Sequence, residues 1–345
     1  MLTCRDLQAC LNLKRLGLSL TLLLGLIFAG CSAPTPPIEQ TFYAFGTEVQ
    51  VLIIDQDPTK AQQAIQQVEQ AFHQFHRQWH AWEPGGTLYQ INQAIAQDQP
   101  IKVSAETQAF IEKTQALSAK TDYIFDPAIG QLIRLWGFQG QQEVSPPSDA
   151  DRQTWLSSRP SIRDLYFENH HLLSRNPDVQ LDFGGNAKGL ALDIAEDILL
   201  EQGIQTALIN IGGDSKVIGH KPNNQAWLFG IQNPKNPQQA IARVEVYANE
   251  NIFTSGTYQR YFDWQGQRYS HIINPNTAWP ADSLASVTVI DEDAIKADTA
   301  ATALLIAGPQ NWQVLAARLG VTRVLTIDQQ GQIAMTAAMQ ERVKP

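Results

Sequence analysis

The amino-acid sequence predicts an α+β fold, mainly antiparallel sheets with packed helices, in one domain over residues 41–345. Three observations carry this. Short β-branched and aromatic runs crowd the second half of the chain; they are not separated by regular crossover helices; and the helical periodicities are few and set apart from them. A doubly wound parallel sheet would need a helix between successive strands, so that class of nucleotide-binding fold does not suit the pattern.

Taken in order, residues 1–30 read as an export signal. Arg5, Lys14 and Arg15 precede the apolar run LGLSLTLLLGLIFAG, which is shorter than the roughly 20 residues that span a bilayer, and Cys31 follows. Ser32 to Gln40, rich in proline and small residues, reads as a flexible tether over 31–40. TFYAFGTEVQVLIID (41–55) reads as one strand bent at Gly46. From Pro58, apolar residues at three- and four-residue steps (Ala61, Ala64, Ile65, Val68, Phe72, Phe75) mark an amphipathic helix. Two more helices are expected over Ser104–Ser118 and from Asp126-Pro127 through Leu135, with a loop at 139–150. Strands are expected near Leu165, Val179, Thr206, Trp227, Ala242, Tyr269, Ser286 and Arg323, with helices at about 188–202, 293–307 and 310–319.

Composition excludes some partners. The chain carries a formal net charge of −9 and no basic run, and loss of the signal makes the remainder more acidic still, which argues against nucleic acid. Cys4 and Cys10 leave with the signal, so no disulfide framework supports the fold.

Five stretches hold candidate chemistry. In LDFGGNAKGLALD (181–193) a lysine, Lys188, stands in a glycine-rich turn at the mouth of a helix, where backbone N–H groups and the helix dipole favour an anion; a plain strand-ending turn has the same look. In IKADTAATALLIAG, Asp298 and Thr302 lie four apart on one face of an apolar helix, a hard-oxygen pair suited to Mg²⁺, although a helix edge explains the pair equally well. His271, beside the Asn-Pro turn of SHIINPNT, is placed to act as a general base or to hold a structural hydrogen bond. Trp82, Tyr123, Phe125 and Trp136 lie near turns and would suit a planar aromatic ligand.

Together the segments AFGTEV, TLYQIN, YIFDPAIGQLIRLWGF, LDFGGNAKGLALD, LINIGGD, SGTYQRYF, SHIINPNT and SVTVIDEDAIKADTAATALLIAG closely resemble, in this order, the ApbE family of bacterial envelope FAD:protein FMN transferases. The chain departs from the family pattern at Phe45, Thr87, Thr257 and Ala278. The resemblance implies an ApbE/T-fold-like domain, FAD as substrate, and Mg²⁺ held by Asp298, Thr302 and the carbonyl of Ala187. It implies flavin contacts at Phe45, Trp82, Phe125, Asp126, Asp182, Lys188 and Ile272, with His271 at the position of the base. The product would be FMN joined by a phosphoester to a Thr or Ser of an acceptor protein, such as a subunit of a sodium-pumping quinone reductase or an Rnf-type complex, with release of AMP. The lipobox-like Ala29-Gly30-Cys31 implies a lipid anchor and a place in the envelope facing the periplasm. Two alternatives stay open: a Mg²⁺-dependent FAD pyrophosphatase giving FMN and AMP, and a non-catalytic FAD-binding lipoprotein.

Overall fold

The computed structural model describes residues 36–54, 56–139 and 144–344. The expected export signal, Cys31 and residues 31–35 of the expected tether lie outside the described residues. The fold is α+β, as the sequence predicts, and is organised on one open sheet whose eight strands are β1 (Ile38–Ala44), β2 (Thr47–Ile53), β3 (Ala207–Ile211), β4 (Asp214–Ile218), β5 (Asn251–Gly256), β6 (Leu284–Asp291), β7 (Arg323–Asp328) and β8 (Ile333–Met335). They lie side by side in chain order, and every neighbouring pair is antiparallel.

The sheet starts earlier than the sequence indicates. Ile38, Glu39 and Gln40, expected to belong to the tether, pair with Ile53, Leu52 and Val51. The single bent strand expected over 41–55 is a hairpin instead. Phe45 and Gly46 both take positive φ (57° and 72°), the conformation of a two-residue turn matched to the twist of its strands, so the chain reverses where a bend was expected.

Between β2 and β3 the chain builds most of its helices: α1 (Pro58–Trp79), α2 (Thr87–Ala96), α3 (Ala105–Lys120), α4 (Gly130–Leu135), α5 (Asp149–Ser158) and α6 (Ala187–Glu201). Two more, α7 (Ala294–Ala307) and α8 (Trp312–Leu319), join β6 to β7. No helix among the described residues is long and apolar enough to cross a membrane. α1 begins with Pro58 at its first turn, and the Asp57 carboxylate accepts the Lys60 N–H at 3.0 Å, so an otherwise orphan donor is satisfied. Helices α2 and α5 were not expected. The first is capped only by Gly86, and the second starts inside the proline-rich loop, with Ser148 accepting the Asp151 N–H at 3.1 Å. VQLDF near Val179 is not a strand; only a lone bridge from Gln180 to Ile129 forms there.

One face of the sheet (Val49, Val51, Ile209, Phe253, Val287, Val289) packs against Ile65, Val68 and Phe72 of α1, Ala191 and Ala195 of α6, and Ala300 and Leu304 of α7. The other face (Val217, Ile252, Ile290, Leu325) is covered by Trp227, Ile231 and Val244 of a hairpin spanning 227–246. A third cluster around Trp136, Trp155 and Tyr269 supports the hairpins at 261–270 and 273–280.

The approach of α6 to α7 is set at Gly189. A Cβ there would meet the Ala294 carbonyl oxygen and the Ile295 Cα, each at 2.7 Å, so no side chain fits without moving one helix. Gly189→Ala should therefore cost about 1–3 kcal/mol of overpacking despite alanine's better helix propensity. A denaturation midpoint equal to or above the wild type would show that the helices have slack here.

Candidate active site

A cleft of about 470 Å³ opens over the N-terminal end of α6 and along α7. Its walls come from segments far apart in sequence: the Phe45 turn, the loop after α1 with His80 and Trp82, Ile124 to Pro127, the Asp182–Gly185 turn, Lys188, Asp214, Thr254 and Ser255, the roots of the 261–270 hairpin at Arg260 and His271, and Asp298 and Thr302 of α7. Of the residues singled out from sequence, Phe45, Trp82, Phe125, Asp126, Asp182, Lys188, His271, Ile272, Asp298 and Thr302 all line it. Ala187 does not. It is the first residue of α6, beside Lys188, and its N–H donates to the Phe183 carbonyl at 2.8 Å. Tyr123 and Trp136 also stand off the cleft; the fully buried Trp136 gives its indole N–H to the Ala278 carbonyl at 3.0 Å.

The charged floor has three members. Lys188 forms an ion pair with Asp214 Oδ2, and Asp214 Oδ1 accepts the Thr254 N–H at 2.8 Å. Burial opposes the ammonium form of Lys188, but Asp214 and Asp298 outweigh it and hold its pKa above the ordinary value. Asp298, 4% exposed, accepts the Gly189 N–H at 2.9 Å. Burial pushes its carboxyl up to about 8, with Lys188 opposing and Asp214 adding to the rise. One turn on, Thr302 Oγ1 lies 2.9 Å from Ser255 Oγ. A buried carboxylate with a hydroxyl on the same helix face is a hard-oxygen donor set that fits Mg²⁺, which takes few protein ligands and keeps water or phosphate oxygens for the rest. No group of three or more His, Cys, Asp and Glu placed to hold a metal occurs among the described residues.

The wall above the floor is aromatic and polar. His80 Nδ1 accepts the N–H groups of Trp82 (3.3 Å) and Glu83 (2.9 Å), which fixes the loop that presents the indole, and the Arg134 guanidinium lies 5.3 Å from the Trp82 ring centroid. Asp126 accepts N–H groups from Ala128 (3.0 Å) and Ile162 (2.9 Å), while burial raises its pKa against the pull of these bonds and of Arg159. Asp182 takes the Gly184 N–H at 2.8 Å, so the glycine turn is closed by its own carboxylate, and burial raises this group as well.

His271 sits where the 261–270 hairpin returns to the cleft. Both its backbone N–H (3.1 Å) and its Nδ1 (2.9 Å) face the Arg260 carbonyl oxygen. Nδ1 is therefore the protonated nitrogen of the neutral ring, and Nε2 is left as the acceptor. Burial, with smaller contributions from the Arg260 and Lys188 charges, pushes the imidazole down to about 4 against the favourable backbone bond. At neutral pH it is an unprotonated base.

Residue-by-residue reading did not single out Asp214, His80 and Arg260. Asp214 follows the Gly212-Gly213 turn of LINIGGD, where a charged residue beside a glycine turn was the available signal; Arg260 lies in SGTYQRYF, and His80 opens the turn before Trp82.

With this geometry in place, the comparisons with known proteins agree. A family model described as the ApbE family matches residues 45–325. An FAD:protein FMN transferase of Rhodobacter capsulatus is 37% identical over 333 residues, which is 94% of this chain but 62% of that protein's length. One from Vibrio cholerae is 28% identical over 298 residues, 84% of this chain and 87% of its own. The crystal structure of an ApbE protein from Thermotoga maritima superposes with a TM-score of 0.82 at 28% identity, covering 90% of this chain and 100% of that one.

The depressed His271 pKa fixes a pH dependence. Between the ordinary value of about 6.5 and the folded value, the unfolded chain binds a proton that the folded one refuses, so stability falls as pH drops through this window and is unaffected above it. His271→Ala should flatten the decline in unfolding free energy between those two values by about one proton's worth of slope. An NMR titration of the His271 ring with a midpoint near the ordinary value would contradict the burial argument.

Proposed function

Because the chain belongs to the ApbE family, we propose that it is a Mg²⁺-dependent FAD:protein FMN transferase that joins FMN to a Thr or Ser of an acceptor protein and releases AMP. The observation that carries this reading is the convergence, on one cleft, of an aromatic wall, a buried lysine beside two carboxylates, and a neutral histidine with a free ring nitrogen. A flavin carrier has no need of the base or of the Asp298–Thr302 pair.

Phe45, Trp82 and Phe125 supply the surface on which an isoalloxazine ring would be held. Lys188 stands at the floor, where its ammonium would meet the pyrophosphate. Asp298, Thr302 and the carbonyl of Ala187 would hold Mg²⁺, which when bound neutralises charge on the phosphate oxygens. His271 Nε2 takes the proton of the acceptor hydroxyl as that oxygen attacks the FMN-side phosphorus and the bond to AMP breaks. The Arg260 carbonyl keeps Nδ1 protonated, so only Nε2 faces this task.

The acceptor class proposed is a periplasm-facing electron-transfer subunit, of the sodium-pumping quinone reductase or Rnf kind, and the enzyme itself is proposed to be held at the membrane through lipidated Cys31. The core test is incubation of the mature chain with FAD, Mg²⁺ and such an acceptor. Intact mass should rise by FMN less one water, with AMP in equal amount; FMN and AMP without a labelled acceptor would indicate hydrolysis instead.

His271→Ala should leave FAD affinity, read by flavin fluorescence, little changed while transfer slows by about 10²–10⁴-fold. Asp298→Ala should differ, raising the Mg²⁺ concentration needed for half-maximal rate, and chelation should stop the wild type reversibly. Transfer at the wild-type rate by His271→Ala would move the base elsewhere, with Asp182 the next carboxylate to test. Cys31→Ser should shift the protein from the membrane to the soluble fraction with its specific activity intact; a variant still sedimenting with membranes would rule out the anchor.

A further inference from the structure

Asp214 is buried, 3% exposed, and both of its carboxylate oxygens are engaged: Oδ1 accepts the Thr254 N–H at 2.8 Å and Oδ2 forms the ion pair with Lys188. It is the first residue of β4, delivered by the Gly212-Gly213 turn, in which both glycines take positive φ (59° and 105°) and the Gly213 N–H is fixed on Asn210 Oδ1 at 2.8 Å. The carboxylate therefore has a rigid approach from β4, a backbone anchor on β5 and one mobile partner, the ammonium of Lys188. A long lysine side chain has several rotatable bonds and no preferred direction of its own. Something must aim it.

We propose that Asp214 is a positioning residue for the transfer reaction: its carboxylate, anchored on the Thr254 N–H, directs the Lys188 ammonium toward the phosphorus under attack. This inference rests on the transferase reading. In this role Asp214 touches neither flavin nor acceptor and acts on the reaction through Lys188. Its negative charge also lies beside the pyrophosphate site, where by itself it opposes binding of an anion. Asp214 thus trades some ground-state affinity for FAD against placement of the cation in the transition state, and only the second raises the rate.

Asp214→Asn separates these effects. The amide oxygen still accepts the Thr254 N–H, while its NH₂ turns a donor toward the ammonium and can no longer hold it. Transfer at saturating FAD should slow by about 10–100-fold, the scale of a misplaced catalytic group, while FAD binds as tightly as to the wild type or more tightly. The decisive measurement is a double-mutant cycle with Lys188→Met: in that background Asp214→Asn should cost no further rate, because the residue through which Asp214 acts is gone. A full loss in the Lys188→Met background, an unchanged rate in Asp214→Asn alone, or weakened FAD binding with a normal maximal rate would each overturn the proposal. One further readout does not depend on turnover. In amine acylation followed by peptide mapping, Lys188 of Asp214→Asn should label several-fold faster than Lys188 of the wild type, and equal labelling would refute the placement. If the wild type binds FAD but labels no acceptor, the transferase reading fails by itself, and the acylation result still decides whether Asp214 holds Lys188.

Discussion

The site depends on a crossed pair of ionic contacts between β4 and α6. From the strand, Asp214 reaches Lys188; two residues on, Lys216 reaches Asp193 Oδ1 at 2.8 Å and Glu196 Oε2 at 2.6 Å. The strand offers an acid and then a base, while the helix offers a base and then two acids. A slide of α6 by one turn would set like charges opposite one another, in a layer where Lys216 is only 3% exposed. Asp214 and Lys216 are buried and each needs its partner on the helix, so the register of α6 is well defined, and with it the places of Lys188 and of Gly189 against α7.

This arrangement puts the stabilising and the reactive charges in one layer. Lys216 and its two acids lie below the cleft and take no part in it; Lys188, Asp214 and Asp298 lie on its floor. The carboxyl of Asp298 is raised and the imidazole of His271 lowered, each mainly by burial. In both cases burial disfavours the charged form of the group.

Those same charges explain what was legible in the sequence. Helix α7 is apolar nearly all round, so Asp298 and Thr302 stood out as polar exceptions; the apolar steps of α1 and the alternation in β6 and β7 were equally plain. Strand β4 was not seen, because Asp214-Ser215-Lys216 reads as a polar turn, although all three are buried. β5 was lost for a related reason: Asn251 is buried to cap carbonyls at Asp291 and Glu292, and Thr254 and Ser255 face the cleft. Hydrophobic patterning finds strands that serve the core. Strands that serve the site carry polar residues inward; Lys188 was read from its glycine-rich turn, while Asp126 and Asp182 entered through the family resemblance.

The chain order of the sheet has a kinetic meaning. Most neighbouring strands are joined by short turns or modest insertions, but β2 and β3 are joined through everything from Ile54 to Thr206. Closing that segment carries the largest loop entropy in the sheet, and non-local pairings of this kind are the slow ones in folding. The cleft straddles that seam: Phe45 comes from its N-terminal side, Trp82, Asp182 and Lys188 from the connecting segment, and Asp214, His271 and Asp298 from beyond it. A chain that has formed its hairpins but not this one long-range ladder has neither side of the cleft facing the other, so the cleft exists only once its most distant pairing is made.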